Sequence, residues 1–168
     1  MRQHLALLVD NKPGVLTHVA GLISRRGINI EAINAGYTED ADITRINIIV
    51  EVKDHWELDQ AVNQLAKLIN VIKIVILDNK PFVSYDLALI KIRYITAKDR
   101  IELSNLAELF HAKIVDVDKQ SLIFRLAGRE DHIDAMLNML QYYEILEIAR
   151  TGSISLSRGK DAVKHMEP

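Results

Sequence analysis

The sequence predicts an α+β protein built from two tandem ferredoxin-like βαββαβ domains. Apolar residues change their spacing along the chain, from every second residue, as in a strand, to every third or fourth, as along one face of a helix. The resulting order, strand-helix-strand-strand-helix-strand, occurs twice. A polar break at residues 79–83 separates the two occurrences, so we expect domains at 1–78 and 84–157 joined by a short linker.

The first domain opens with alternating apolar residues at 5–9, which predict a strand. Apolar residues then recur along one helix face over 14–26, and Gly27 ends that helix. The pattern after Gly27 predicts a strand at 28–37, a return strand at 46–52, a helix with its apolar stripe at 58–69 and a strand at 71–77.

The second domain repeats this order without repeating the sequence. Its predicted elements are a strand at 87–95, a helix at 101–110, a hairpin at 114–117 and 122–126, a helix at 133–140 and a strand at 145–149. Residues 158–168 show no apolar periodicity, so we expect a flexible tail there.

Composition excludes several functional classes. The 168-residue chain has a formal net charge of -2 with both signs interspersed, which gives no electrostatic attraction to nucleic acid or to an anionic membrane. The absence of cysteine excludes disulfides and thiolate metal sites. No apolar run reaches membrane-spanning length, and the first apolar stretch is too short for a signal peptide. We therefore expect a cytoplasmic protein without nucleic-acid or membrane partners.

Motifs that carry catalytic chemistry are missing from the sequence. The chain has no glycine-rich phosphate loop, no G-x-S-x-G turn and no H-E-x-x-H pair. Its six histidines are dispersed without metal-ligand spacing, and no pair of carboxylates stands out as an acid and base. We predict no catalytic residue and no metal site, and hence a binding function.

The turn after the first strand is the most distinctive segment. Asn11 is a favourable helix N-cap and Pro13 suits a first helical turn, so one interpretation is simply a well-formed helix start. The other is a ligand site, because Gly14 lets a ligand approach the backbone. The N–H groups of Gly14, Val15 and Leu16 would then hold a carboxylate at the positive end of the helix dipole. The residues alone leave both interpretations open.

Asn29 begins the second predicted strand, directly after the turn at Gly27. Its amide can donate to a carboxylate or accept from an ammonium group, as a small amino acid would require. A purely structural role in the turn is the alternative.

The segment NKPGVL at 11–16, followed by GLISRRGINIE at 21–31, resembles the ACT domain of acetolactate synthase small subunits. The resemblance covers nearly the whole chain. Further matching positions are Gly36, Thr38, Thr44–Arg45, and the segments 110–117, 147–152 and 157–159. The chain departs from the family pattern at Tyr85–Asp86, where an Arg-Glu pair is usual, and at His111, where arginine is usual.

The resemblance implies that the first domain is an ACT domain, that two such domains pair, and that valine or a related branched-chain amino acid binds between them. The residues it implies for this site are Asn11, Gly14, Val15 and Leu16 from one chain and Asn29 and Ile30 from the other.

The resemblance also implies a catalytic partner, the large subunit that condenses two pyruvates in branched-chain amino acid biosynthesis. This chain would activate that enzyme and make it sensitive to feedback inhibition. It would carry no cofactor itself, whereas thiamine diphosphate, Mg and FAD are expected in the partner. Arg150 and Arg158 are the candidates for contact between the subunits.

Two other functions stay open. One is a free-standing enzyme with a catalytic second domain, which would need a convergent nucleophile, base or metal set. The other is an amino-acid-sensing ACT regulator of a different partner. In every case a homodimer is expected, because a single-layer sheet leaves one face and two edges uncovered. Ile49 is among the apolar residues predicted on that outer face.

Overall fold

The computed structural model describes residues 1–165 and confirms the predicted α+β fold with two βαββαβ units. Among the described residues, the first unit comprises 1–84 together with 154–165, and the second comprises Tyr85–Ser153. The elements run in the order β1 Arg2–Asp10, α1 Val15–Arg25, β2 Asn29–Tyr37, β3 Ile43–Glu51, α2 His55–Leu65, β4 Val71–Ile76, β5 Phe82–Arg93, α3 Ala97–Leu109, β6 Lys113–Val117, β7 Ser121–Gly128, α4 Glu130–Leu140, β8 Ile145–Arg150 and β9 Ile154–Ser157.

Both sheets are antiparallel and have the strand order of a ferredoxin-like fold. The first sheet has the order β2-β3-β1-β4. The second has the order β6-β7-β5-β8, and β9 also pairs with β5. Short 3-10 turns follow β4 at Leu77–Asn79 and β9 at Val163–His165.

The core of the first unit lies between its sheet and its two helices. Leu5, Leu7 and Val9 point from β1 toward the helices, and Val19 and Ile23 of α1 pack against them. Each side chain of this kind contributes about 1.5–3 kcal/mol when it is fully buried. The alternation of β1 and the helical spacing of α1 thus define one shared apolar layer.

The second unit has a separate core of the same design. Ala88, Ile90 and Ile92 of β5 are fully buried, as is Phe124 of β7, which pairs with Ile90. The helix residues that cover them include Leu103, Ala107, Ile133, Met136 and Leu140. Because each unit has its own apolar cluster, the two halves of the pattern correspond to two folding units.

Element boundaries differ from the prediction where polar residues begin an element. Helix α3 starts at Ala97 rather than near 101, because its first turn is polar and is fixed by a capping box on Thr96. Strand β5 starts at Phe82, inside the predicted linker, because its first residues pair with β9. Local apolar spacing carries no signal for either contact.

The C-terminal residues differ from the flexible tail expected from 158 onward. Val163 is 4% exposed and packs against Ala6, Leu8, Val75 and Leu77 on the face of the first sheet opposite its helices. Apolar periodicity gives no sign of this contact, because a single side chain, that of Val163, makes it. The part of that prediction covering 166–168 lies outside the described residues.

The outer face of the first sheet is consequently covered in part by the chain itself. Ile49, predicted to face outward for a second copy, is 2% exposed within a single chain. Burial of Ile49 therefore does not require a second copy of the chain. No helix in residues 1–165 is long and apolar enough to cross a membrane.

Candidate functional site

The start of helix α1 is formed by Gly14 in a left-handed conformation. Gly14 is the N-cap residue, with φ 85° and ψ -13°, and the helix begins at Val15. A Cβ atom at Gly14 would meet no heavy atom within 4 Å, so glycine is favoured by backbone conformation and not by lack of space. The helix start is thus open to a ligand from outside.

Helix α1 differs from the other three helices in residues 1–165, because it has neither a side-chain cap nor an acidic residue in its first turn. Helix α2 is capped by Asp54, and α3 by Thr96 with Asp99 in its first turn. Helix α4 has Glu130 and Asp131 in its first turn. The positive end of the α1 dipole is therefore left without an anion of its own chain.

The amide of Asn11 does not cap the helix, which decides against the first interpretation of this residue. Its Nδ2 donates to the carbonyl of Ala41 at 2.9 Å, and its Oδ1 accepts from the hydroxyl of Thr44 at 3.2 Å. The backbone N–H of Asn11 donates to the carbonyl of Asp42 at 2.8 Å. Because a primary amide carries two N–H groups, one donor of Asn11 remains for a ligand.

The backbone donors predicted at the helix start are largely free. The N–H of Val15 makes a long bond of 3.4 Å to the carbonyl of Lys12, and the helical ladder begins with His18 donating to Gly14. Within residues 1–165, the N–H groups of Gly14 and Leu16 have no backbone acceptor. A carboxylate placed there would satisfy donors that the fold leaves unused.

The cation in the turn before α1, that of Lys12, already forms an ion pair. The ammonium of Lys12 lies 2.9 Å from the carboxylate of Asp10, and its pKa is raised by the hydrogen bond and the charge of Asp10, with a further contribution from Asp42. Its charge is therefore compensated by its own chain. A ligand carboxylate would depend on the backbone and the helix dipole.

A cavity of about 190 Å³ lies beside the first residue of α1. Four of its six lining residues are aliphatic, which suits an apolar group more than a charged one. The lining consists of Val15, His18, Leu68, Ile69, Asn70 and Val71.

Asn29 and Ile30 lie at the other end of the sheet. Asn29 starts β2 opposite Glu51, the last residue of β3, whereas Thr44, which holds Asn11, lies near the start of β3. The seven residue-to-residue steps from Thr44 to Glu51 span on the order of 23 Å in an extended strand. The six predicted effector residues therefore form two groups in one chain, and the structure of one chain does not bring them together.

Arg150 is engaged within its own unit. Its guanidinium contacts the carboxylate of Asp86 at 2.7 Å and that of Asp134 at 3.0 Å, and the hydroxyl of Thr151 donates to Asp86 at 2.9 Å. Arg158 is exposed, and within residues 1–165 its side chain makes one long hydrogen bond, of 3.4 Å, from Nε to the carbonyl of Phe82. Of the two predicted subunit-contact residues, Arg158 has the freer side chain.

Comparison with known proteins decides the family. Residues 5–73 match the family model described as "AHAS small subunit-like ACT domain", and residues 85–159 match "Small subunit of acetolactate synthase". The acetolactate synthase small subunit of Mycolicibacterium smegmatis is 46% identical over 92% of this chain and 90% of that protein. That of Bacillus subtilis is 37% identical over 95% of this chain and 92% of that protein. The chain belongs to the family of acetolactate synthase small subunits.

A solved small subunit of acetolactate synthase has the same fold. The crystal structure of the protein from Thermotoga maritima superposes with a TM-score of 0.87 and 35% identity, covering 96% of this chain and 99% of that one. The predicted resemblance and the predicted ACT fold of the first domain are therefore confirmed. Membership in this small-subunit family supports the predicted role as a regulatory subunit.

Thr44 and Asp86 were compared with the family pattern, but their contacts with Asn11 and Arg150 were not predicted from the sequence. Thr44 fixes the Asn11 amide, but a threonine in a strand gives no sign of that contact. Asp86 did carry a signal, because it occupies the same face of β5 as Ala88, Ile90 and Ile92, where a carboxylate requires a partner. Its partner, Arg150, lies on β8 and could not be paired with it by spacing. Among residues 1–165, no three His, Asp or Glu side chains are grouped as a metal site.

Proposed function

We propose that this chain is the regulatory subunit that binds a branched-chain amino acid, such as valine, and transmits its presence to the catalytic subunit of acetolactate synthase. The proposal rests on the start of α1. There Gly14 leaves the backbone N–H groups accessible, and neither a side-chain cap nor a first-turn carboxylate is present. The ligand's carboxylate would take the place that Asp99 or Glu130 takes at the other helices.

The amide of Asn11 and the aliphatic cavity beside Val15 also suit an amino acid ligand. The free N–H of the Asn11 amide adds a side-chain donor to the backbone donors of Gly14 and Leu16. The aliphatic lining beside Val15 suits a short branched side chain better than a polar one. One methylene in such a pocket changes binding by only about 1–3 kcal/mol, so discrimination among valine, leucine and isoleucine would be moderate.

The site is proposed to be complete only in a homodimer. Asn29 and Ile30 belong to the end of the sheet remote from Asn11, so they join the site only if a second copy supplies them. Strand β2 is an edge strand of the first sheet, which leaves its backbone available for such pairing. A closed two-fold arrangement would then form two equivalent sites.

Catalysis is proposed to belong to the large subunit, with its thiamine diphosphate, Mg and FAD. A ligand shifts activity only if it binds one state of the complex better than another, and the catalytic subunit must then change the ligand's affinity by the same factor. Arg158, and less directly Arg150, stay proposed contacts with that subunit. A cytoplasmic location without nucleic-acid or membrane partners belongs to the same proposal.

Calorimetric titration with valine tests the site through one matched pair of variants. Gly14→Asp and Gly14→Asn have nearly the same shape, and both residue types tolerate the left-handed conformation better than other non-glycine residues. Only aspartate adds a carboxylate that repels the ligand's carboxylate. We expect Gly14→Asn to retain binding and Gly14→Asp to lose it. Equal affinity in the two variants would exclude a carboxylate site at this helix.

Reconstitution with the catalytic subunit tests the role. Purified chain should raise the rate of acetolactate formation, and added valine should lower it again. The chain alone should turn over no pyruvate. An unchanged rate on mixing would contradict the regulatory proposal, and pyruvate turnover by the chain alone would favour the free-standing enzyme instead.

A further inference from the structure

Two adjacent residues of β3 connect the candidate site with the opposite face of the first sheet. Thr44 lies opposite Val9, which belongs to the core on the helix side, and it fixes the Asn11 amide. Arg45 lies opposite Leu8, which belongs to the outer-face cluster. Because successive strand residues point to opposite faces, a shift of β3 at this point moves both contacts together.

Arg45 holds the chain from the C-terminal end against that outer face. Its Nη2 donates to the carbonyl of Ser155 at 2.6 Å and its Nε to Oδ1 of Asn47 at 3.1 Å. In residues 1–165 no carboxylate forms an ion pair with Arg45, and burial lowers the pKa of its guanidinium. The Ser155 carbonyl is thus a principal acceptor for a partly desolvated cation, and such charge-assisted bonds are stronger than neutral ones.

Residues 154–165, here called the C-terminal segment, also pair with β5 through β9 and form an ion pair between Asp161 and Lys80. Val163 is buried in the outer-face cluster, and Nζ of Lys164 lies 2.7 Å from the carboxylate of Glu39. Glu39 belongs to the turn between β2 and β3. In the same turn, the carbonyl of Ala41 accepts from the Asn11 side chain and the carbonyl of Asp42 accepts from the Asn11 backbone N–H. One turn therefore contacts both the candidate site and the C-terminal segment.

We propose that effector binding at the start of α1 and docking of the C-terminal segment on the first sheet are coupled through the turn at 38–42 and the pair Thr44–Arg45. The proposal rests on the proposed effector site. A ligand that binds Asn11 stabilises one arrangement of the turn and of β3. In that arrangement Lys164 contacts Glu39 and Arg45 contacts Ser155, so the segment is docked. Reciprocity then requires that a docked segment raises the affinity for the ligand.

The segment is well placed to carry such a signal along the chain. The chain leaves the first unit after Ser84 and returns to it at Ile154, and the hydroxyls of Ser84 and Ser155 lie 2.9 Å apart. The second unit is therefore an insertion in the chain of the first unit, between Ser84 and Ile154.

Hydrogen exchange of the wild-type chain, with and without saturating valine, tests the coupling directly. We expect the amides of residues 154–165 to exchange at least about threefold more slowly with valine bound, because local opening of the segment is disfavoured. If calorimetry shows that valine binds and the exchange rates in this segment are unchanged, the coupling is overturned.

The effect of segment docking on ligand affinity is tested by Lys164→Glu, which places a like charge beside Glu39. Because position 164 is exposed, the substitution should not disturb the fold. Lys160→Glu is the matched control, since Lys160 is exposed in the same segment and makes no contact with the turn. Valine affinity should fall about three- to tenfold in Lys164→Glu only. Equal affinities in both variants would also overturn the coupling. If the wild-type chain binds no branched-chain amino acid, the proposed effector function fails first.

Discussion

The guanidinium of Arg150 lies 2.7 Å from the carboxylate of Asp86, whose side chain is 2% exposed. This ion pair, made through Nε and Nη2, joins β8 to β5, and Nη1 of the same guanidinium donates to Asp134 of α4 at 3.0 Å. A buried carboxylate of this kind is tolerated only because it is paired and hydrogen-bonded. Asp86 is therefore part of the architecture of the second unit.

Replacing Arg150 with alanine should destabilise the chain by about 3 kcal/mol, because Asp86 would stay buried with only Thr151 as a side-chain donor. Urea unfolding measures the change. Arg129→Ala is the control, since Arg129 pairs with Asp131 at a site where both side chains are more than half exposed, and it should leave the midpoint unchanged. Equal midpoints for the two variants would show that the Arg150 pair contributes little.

Removing the hydroxyl that fixes Asn11 should weaken effector binding. Thr44→Val keeps the shape of the side chain but leaves Oδ1 of Asn11 without its partner, so the amide is free to turn away from the ligand. We expect valine affinity to fall about three- to tenfold, as for the loss of one hydrogen bond. Calorimetry measures the affinity, and Ser104→Ala, which removes a hydroxyl bonded within α3, should not change it.

His111 is the non-glycine residue of residues 1–165 with a positive φ, at 52°. It follows the end of α3, where the next N–H, that of Ala112, donates to Ala107 at 2.8 Å. Such helix ends favour glycine. His111→Gly should therefore raise the free energy of unfolding by about 0.5–1 kcal/mol, whereas the β-branched His111→Val should lower it. A loss of stability in His111→Gly would show that the imidazole makes a compensating contribution.

Acid should weaken the contact between β1 and the turn after β4. Burial opposes ionisation of Asp78, but hydrogen bonds from the ring and the backbone N–H of His4 outweigh it and lower the pKa of Asp78 below its usual value. A lowered folded-state pKa stabilises the protein above the unfolded pKa, near pH 4, and this contribution is lost as pH falls through the folded value.

Unfolding of wild type and Asp78→Asn, compared between about pH 6 and pH 2.5, tests this sign. The wild type should be the more stable above about pH 5, and the difference should shrink as the pH falls below about 4. Parallel stability curves would show that Asp78 does not contribute to the pH dependence.

The repeated βαββαβ order could be predicted from the sequence because apolar spacing reports which side of an element is covered. Leu5, Leu7 and Val9 indicate both a strand and the face of it that meets the helices. Gly14 could likewise be singled out as a place where a ligand can reach the backbone. These properties depend on residues close together in the chain, and so they are visible without a structure.

The function of Asn11 could not be derived in the same way. Its residue type suits a helix cap, and only the folded chain shows that its amide is used by Ala41 and Thr44 on another turn. The strand register places Asn29 at the far end of the sheet, which separates the two halves of the predicted site. Neither relationship follows from spacing, because each depends on which distant strand lies alongside.

By itself, the sequence determined the two-domain α+β fold, the two apolar cores and the unusual helix start at Gly14. Only the tertiary structure decided that the chain returns from the second unit to cover the first sheet, with Ser155 bonded to Arg45 and Val163 buried. The physical reason is range. Periodicity shows which residues of a short segment face the core and which face solvent. It cannot show that the carbonyl of Ser155 accepts from Arg45, 110 residues away, or which distant residues bury Val163.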